Sequence, residues 1–365
     1  MKTVVARLGA LLCLVVAVAL VAGCGASKTP PAESKLKVEK FNSQQGLPHD
    51  YITALVSYGT QLWAGTKNGL ARYDSVNWQV HVLKNTNALG SNIIENLTVA
   101  DNAVWIATDN GVCRTDGTNW ASILTGSRAR AVTAKGNEIA VATAHGVEYT
   151  TGGAFLTMSK ESAGLVYDEV QAVCYDANGK LWVGTRAGMA MLSGTAFQTF
   201  TGPAQQPMGS SLVDIPPNPP SCQLIGNNVN AILPYKGKLA IATTSGLSVT
   251  DMGNQWTSYT GAHKKWVQRA GQIFEEQAPG NSPLPGSSIT ALAVAPGDAA
   301  LFVGTNKGLA VLKGDQWLDI EPRLSTVPTG PITAVAMHNA DLWVGTQNGL
   351  YRIEGIAALV SPTGS

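Results

Sequence analysis

The chain has 365 residues, enough for one large repeat domain with a substantial core. Its composition, 45% hydrophobic and only 13% charged with 39 Gly, is ordinary for a folded β-rich protein with many turns. The formal net charge is +1; without residues 1–23, which carry Lys2 and Arg7 and no acid, 23 basic side chains face 24 acidic ones, so no basic run steers phosphates and nucleic acid is excluded as a partner.

In chain order, Lys2 and Arg7 form a positive n-region, followed by an uncharged apolar stretch from Leu8 to Leu20. That stretch is too short for a membrane span and fits a signal h-region. Val21-Ala22-Gly23-Cys24 then resembles the bacterial lipobox, in which the Cys is diacylated and becomes the mature N-terminus. The resemblance implies a signal peptide over 1–23, lipidation at Cys24 and attachment to a membrane through the lipid. With Gly25 rather than Asp after the Cys, it implies an outer-membrane lipoprotein facing the periplasm or the cell surface, if the cell is Gram-negative. The alternative is an ordinary secretory signal with a chance Cys. Residues 24–35, polar and Pro-containing, read as a flexible tether. A repeat domain is expected over 36–355 and a short tail over 356–365.

Within 36–355 one phrase recurs seven times. LWAGTKNGLARY, starting at Leu62, returns as VWIATDNGVCR, IAVATAHGVEY, LWVGTRAGMAM, LAIATTSGLSV, LFVGTNKGLAV and LWVGTQNGLYR. Before it lies a short alternating run such as ITALVSY at Ile52 or ITAVAMH at Ile332, and after it an aromatic strand signal at Trp78, Trp120, Phe155, Phe197, Trp256 or Trp317. Four strand signals per unit of about 40 residues predict an all-β, seven-bladed β-propeller of four-stranded blades. Gly69, Gly111, Gly146, Gly188, Gly246, Gly308 and Gly349 mark the turn between strands two and three, where positive φ is needed. Strand one carries Ala54, Ala131, Ala172, Ala231, Ala291 and Ala334, with Asn96 the exception, as expected where innermost strands converge on an axis. Strand two carries Gly or Ala at 65, 107, 142, 184, 242, 304 and 345, each followed by Thr, which lets neighbouring sheets approach. The last copy stops after strand three, and Lys37–Phe41 matches the W-x-x-Y pattern of Trp256–Tyr259. This N-terminal strand is expected to complete the last blade and close the ring.

These motifs resemble the two-component regulator propeller repeat, whose pattern is roughly I-x-A-L followed by L-W-V-G-T-x-N-G-L-x-x-Y. The third copy departs furthest, with Ala140 in place of Trp and His145 in place of Asn. The resemblance implies a propeller of the kind that forms the periplasmic sensing part of membrane-bound histidine kinases, some of which respond to glycans. Ten residues follow Gly355 and hold no transmembrane helix, linking β-domain or kinase, so a sensor role is expected to require a separate signalling partner.

Two long connections, Thr201 to Gly226 and Gly261 to Gly286, interrupt the repeat on neighbouring blades and are expected side by side at one channel mouth. Eight of nine Trp occupy repeat positions and are expected in the core; Trp266, in the second insertion, does not. With His263, Lys264, Lys265, Arg269 and Phe274 around it, Trp266 suits a protein or saccharide contact. The competing reading is a short helix over 264–276 packing Trp266 and Phe274 onto the propeller. A second candidate set precedes strand one: Asp50, Asn92, Ser127, Asp168, Asn227 and Ser287, with Gly330 in seventh place. These residues either line the channel mouth or hold turns.

No nucleophile elbow, paired carboxylates or phosphate-binding loop is present, so no catalytic residue and no cofactor is assigned. Asp176-Ala177-Asn178-Gly179 lacks the later ligands of a calcium loop, and the five His are scattered among blades, so no metal site is assigned. Cys113 and Cys174 fall in expected strands as core residues; for Cys222, in a loop, a bridge stays open. The expected protein is a lipid-anchored, monomeric propeller acting as a protein-binding scaffold or accessory subunit in the bacterial envelope. The alternative is a module sensing a glycan or other small molecule for a separate signalling partner; a propeller lyase or hydrolase is a third possibility.

Overall fold

The LWVGT-like runs are apolar on both sides of the strand, and a strand of that kind needs cover on both faces. The computed structural model, which describes residues 35–252, 255–328 and 330–361, supplies that cover by stacking sheets around an axis. The expected signal peptide and the Cys24 lipidation site lie outside the described residues.

Seven four-stranded antiparallel sheets form the blades: residues 52–81, 94–125, 131–158, 170–200, 229–259, 289–318, and 332–353 together with Val38–Phe41. In six blades the strands pair in chain order. In the seventh, Val38–Phe41 pairs antiparallel with Gly349–Ile353, Val38 opposite Ile353 and Phe41 opposite Leu350, so the ring closes as expected. The innermost strand of each blade packs on that of the next, and the seventh on the first.

The small residues of strand two work by absence. A Cβ on Gly65 would stand 2.6 Å from Ile94 Cγ2, and on Gly345 it would stand 2.7 Å from Ile52 Cγ2, so the first residue of each following blade fills the space. The Thr after them fastens the turn: Thr66 Oγ1 donates to Gly69 O at 2.7 Å and accepts from Asn68 N at 3.1 Å, a pattern repeated at Thr108, Thr143, Thr185, Thr305 and Thr346. Gly69 itself opens strand three at φ +132°, outside the range open to side chains. The tryptophans split into two sets. Trp63, Trp105, Trp182 and Trp343 of strand two are 0–2% exposed, whereas Trp78, Trp120, Trp256 and Trp317 of the outer strands are only half-buried. Cys113, Cys174 and Cys222 are all free thiols.

Strand four hands over to the next blade on the same face that carries the turns between strands two and three. We call this the upper face. The turns between strands one and two, and between three and four, lie on the lower face. Since Val38 pairs with the end of strand three and Phe41 with its beginning, the chain before Val38 approaches from the lower face. Both insertions leave from the upper face. Each forms a two-stranded hairpin, and the helix weighed for residues 264–276 is replaced by antiparallel strands.

Candidate functional site

The first hairpin pairs Ala204–Met208 with Ser211–Ile215, and the second pairs His263–Arg269 with Gln272–Ala278. The turn of the second, Ala270-Gly271, has both residues left-handed (φ +49° and +75°), the twist that a tight hairpin prefers. Lys264 Nζ meets Glu275 at 2.8 Å and Arg269 meets Glu276 at 2.9 Å, exposed pairs that set the register more than they stabilise it. Gln268 ties the two hairpins together: its Nε2 donates to Ser210 O at 2.8 Å and its Oε1 accepts from Leu212 N at 3.3 Å.

Between the hairpins lies a groove of about 700 Å³ that draws on both insertions, with Ala204, Ile215 and Pro216 on one side and His263, Lys265 and Trp266 on the other. Trp266 is 39% and Phe274 43% exposed. Strand alternation puts them on opposite faces of the second hairpin, so the structure does not bring them together. Lys264 shares the Trp266 face, whereas Arg269 shares that of Phe274 and His263. Met208, Val213 and Ile215, all exposed on one face of the first hairpin, went unnoticed in sequence. The signal was there: two short runs around Gly209-Ser210, a turn dipeptide.

The residues that precede strand one hold the connections between blades. Asp50 Oδ1 accepts from Ser43 N (2.7 Å), Asn92 Oδ1 from Leu83 N (2.7 Å), Asp168 Oδ1 from Lys160 N (2.6 Å) and Asn227 Oδ1 from Gly202 N (2.7 Å). Ser287 Oγ donates to Gly261 O at 3.0 Å. The bond from the Ser43 N–H holds the Asp50 carboxyl below the usual carboxylate range.

The channel is lined instead by the column just before the Ala column. Six innermost strands bulge there, turning Thr53, Glu95, Gln171, Asn230, Thr290 and Thr333 toward the axis, with Arg130 in the corresponding place of the third blade. Several of these side chains clasp the next blade. Asn230 Nδ2 donates to Ile289 O (2.7 Å), Thr290 Oγ1 to Ile332 O (2.5 Å) and Thr333 Oγ1 to Ile52 O (2.6 Å). On the other side of the channel the ring is charged. Arg130 meets Glu169 at 2.7 Å, Glu169 meets Arg186 at 3.0 Å, and Glu95 meets Arg128 at 3.0 Å. The Arg130 hydrogen bond holds the Glu169 carboxyl below its ordinary range. Among the described residues, no group of three or more His, Cys, Asp and Glu is placed to hold a metal ion.

No curated protein matches the chain in sequence. Among solved structures it is similar to the extracellular domain of a hybrid two component system from B. thetaiotaomicron, at TM-score 0.62 and 16% identity over 88% of this chain and 42% of that one. A one component system's extracellular domain from the same organism gives 0.61 and 17% over 87% and 39%. YCF48 from Cyanidioschyzon merolae gives 0.52 and 12% over 87% and 98%. This chain thus spans about two fifths of the length of the B. thetaiotaomicron domains, and at these identities the likeness is one of fold. The family model for the two component regulator propeller matches residues 164–187, the approach to the fourth blade and its first two strands. With that match inside a ring of seven like blades, the chain is a seven-bladed β-propeller that carries the two component regulator propeller repeat.

Proposed function

We propose that this protein is a lipid-anchored binding propeller of the cell envelope, which docks a protein partner on its upper face through the paired hairpins. One observation carries the reading: the two interruptions of the repeat build a single groove, braced by Gln268, that exposes Trp266. The propeller alone does not require these hairpins. Five of the eleven large apolar side chains that are exposed among the described residues sit on them. Such a concentration on polar-rimmed hairpins is the mark of an interaction surface rather than of chance exposure. Val38 joins the propeller at its lower face, the face opposite the one the hairpins leave from.

A photo-crosslinking side chain at 266, in cells, tests this. The expected result is a discrete crosslink to an envelope protein, absent when the probe replaces Val76, 78% exposed in a lower-face turn. Equal labelling from both positions, or none from 266, removes the reading. The likeness to extracellular domains of signalling systems favours a second reading, in which the polar channel or the groove binds a glycan or other small ligand and reports to a separate sensor. Ligand binding that is lost on replacing Trp266 or Glu95, with no protein crosslink, selects it. A lyase or hydrolase activity is the least supported alternative, since no catalytic group has been assigned.

A further inference from the structure

Sulfur is unevenly placed in this protein. After residue 35 the sequence holds six Met and three Cys, and five of these nine side chains (Cys174, Met189, Met191, Cys222 and Met252) pack into the one cluster between the fourth and fifth blades. Blade register accounts for part of the gathering. Cys174, Trp182 and Met191 are direct cross-strand neighbours on one face of the fourth blade. Cys222 arrives from the first insertion, after its hairpin, and Met252 from the turn before the outer strand of the fifth blade.

Three of the five, Met191, Cys222 and Met252, line a cavity of about 350 Å³ beside Trp182, Phe200 and Trp256. Gln198, Ser221 and the exposed Lys180 also line it, and no carboxylate or imidazole does among the described residues, so it offers no anionic oxygen to a hard cation. Met252 is held at φ +61°, with its N–H bonded to Thr250 Oγ1 at 2.9 Å. A long side chain in the left-handed region is uncommon, and such strain tends to persist where a side chain has a task. Cys222 is 1% exposed, and its sulfur accepts a hydrogen bond from the Leu224 N–H.

We propose that this cavity binds a soft monovalent metal ion, Cu(I), through the thioethers of Met191 and Met252 and the sulfur of Cys222. Thioether and thiolate donors select Cu(I) over harder ions. The charge balance also selects it. When the Cys222 S–H bond breaks and the S–Cu bond forms, one proton leaves to solvent as one unit of positive charge enters, so no net charge is added beside the Lys180 ammonium. A divalent ion would leave one unit uncompensated.

The test is anaerobic titration of the full chain with Cu(I) against bicinchoninate. The expected result is one equivalent withheld from the chelator, with loss of tryptophan fluorescence from Trp182 and Trp256. Affinity should rise about tenfold per pH unit near neutrality, one proton being released per ion. Met191→Leu/Met252→Leu preserves volume and should melt like the parent while binding at least tenfold more weakly. Cys222→Ser should abolish the site, and Cys113→Ser should leave it intact. If the double Leu variant misfolds, copper K-edge absorption on the unmodified protein decides: a shell of sulfur alone supports the site, and nitrogen or oxygen neighbours refute it. Withholding no equivalent, or undiminished affinity in a folded double variant, overturns the proposal. None of these outcomes touches the hairpin face.

Discussion

Phe41→Ala tests whether the borrowed N-terminal strand holds the ring closed. Phe41 lies 5.4 Å, centroid to centroid, from Trp343 of its own blade, 5.9 Å from Trp78 and 6.0 Å from Tyr73 of the first, so one ring bridges the seam. Truncating a fully buried Phe costs about 3–5 kcal/mol. Phe41 is half-buried, which reduces the packing loss to about 2 kcal/mol, and the lost aromatic pairs add about 0.5–1 kcal/mol. In a domain of this size each kcal/mol moves the melting temperature by about 2 °C, so a fall of about 5 °C is expected in a calorimetric scan. Lys40→Ala, one residue away and exposed, is the control. It loses only an outward contact with the Tyr351 ring at 5.5 Å, about 0.5 kcal/mol. Deleting residues 36–41 should cost about 6 kcal/mol, since four backbone pairs at about 1 kcal/mol each go with the ring. Melting of Phe41→Ala that matches the parent, or that merely matches Lys40→Ala, would refute the argument.

Gly65→Ala should destabilise by about 1–3 kcal/mol in urea unfolding, because its Cβ would meet Ile94 at 2.6 Å; Gly153→Ala, with nothing within 4 Å, should be neutral. Stability should fall as the pH drops from about 6.5 toward 5. Burial, with Arg72 adding to it, holds His81 below the ordinary imidazole range, and burial does the same for His338 against the pull of Asp341. Below about pH 6.5 the unfolded chain takes up protons that the folded chain declines, so this stability is complete above that pH and is lost as pH falls toward the folded pKa. A melting temperature that rises on acidification, or a slope unchanged in His81→Gln/His338→Gln, contradicts the assignment. Gln268→Ala should leave the melt within about 1 kcal/mol of the parent yet raise hydrogen exchange at 204–215, since it removes the brace between hairpins. Cys113 is 1% exposed with its thiol pushed up to about 12, so a disulfide reagent at pH 8 should leave it unmodified until the protein unfolds.

The repeat was legible because its constraints are local and are stated seven times. Gly69 and its six counterparts are dictated by a turn, Thr66 by the bonds it makes within three residues, and Gly65 by Ile94 and Thr53, which crowd its Cβ space. Even ring closure could be read, since a missing strand at one end and a matching one at the other leave a single way to avoid a bare edge.

The insertions were legible as interruptions but not as structure. Trp266, Glu275 and their neighbours carry no repeated context, and a run of mixed charge and aromatics satisfies a helix or a strand equally well until a partner strand is in place. The channel lining was missed for a related reason: the bulge at Thr53 and its equivalents turns a side chain toward the axis where simple alternation would not. By itself, then, the sequence determined the blade, the number of blades and the means of closure, because each follows from hydrogen bonds and contacts between residues close in the chain or repeated along it. Only the tertiary structure decided which residues meet across the upper face, which line the channel, and that five sulfur side chains share one seam. Those meetings depend on the angle between neighbouring blades and on registers set across tens of residues, which no single copy of the repeat encodes.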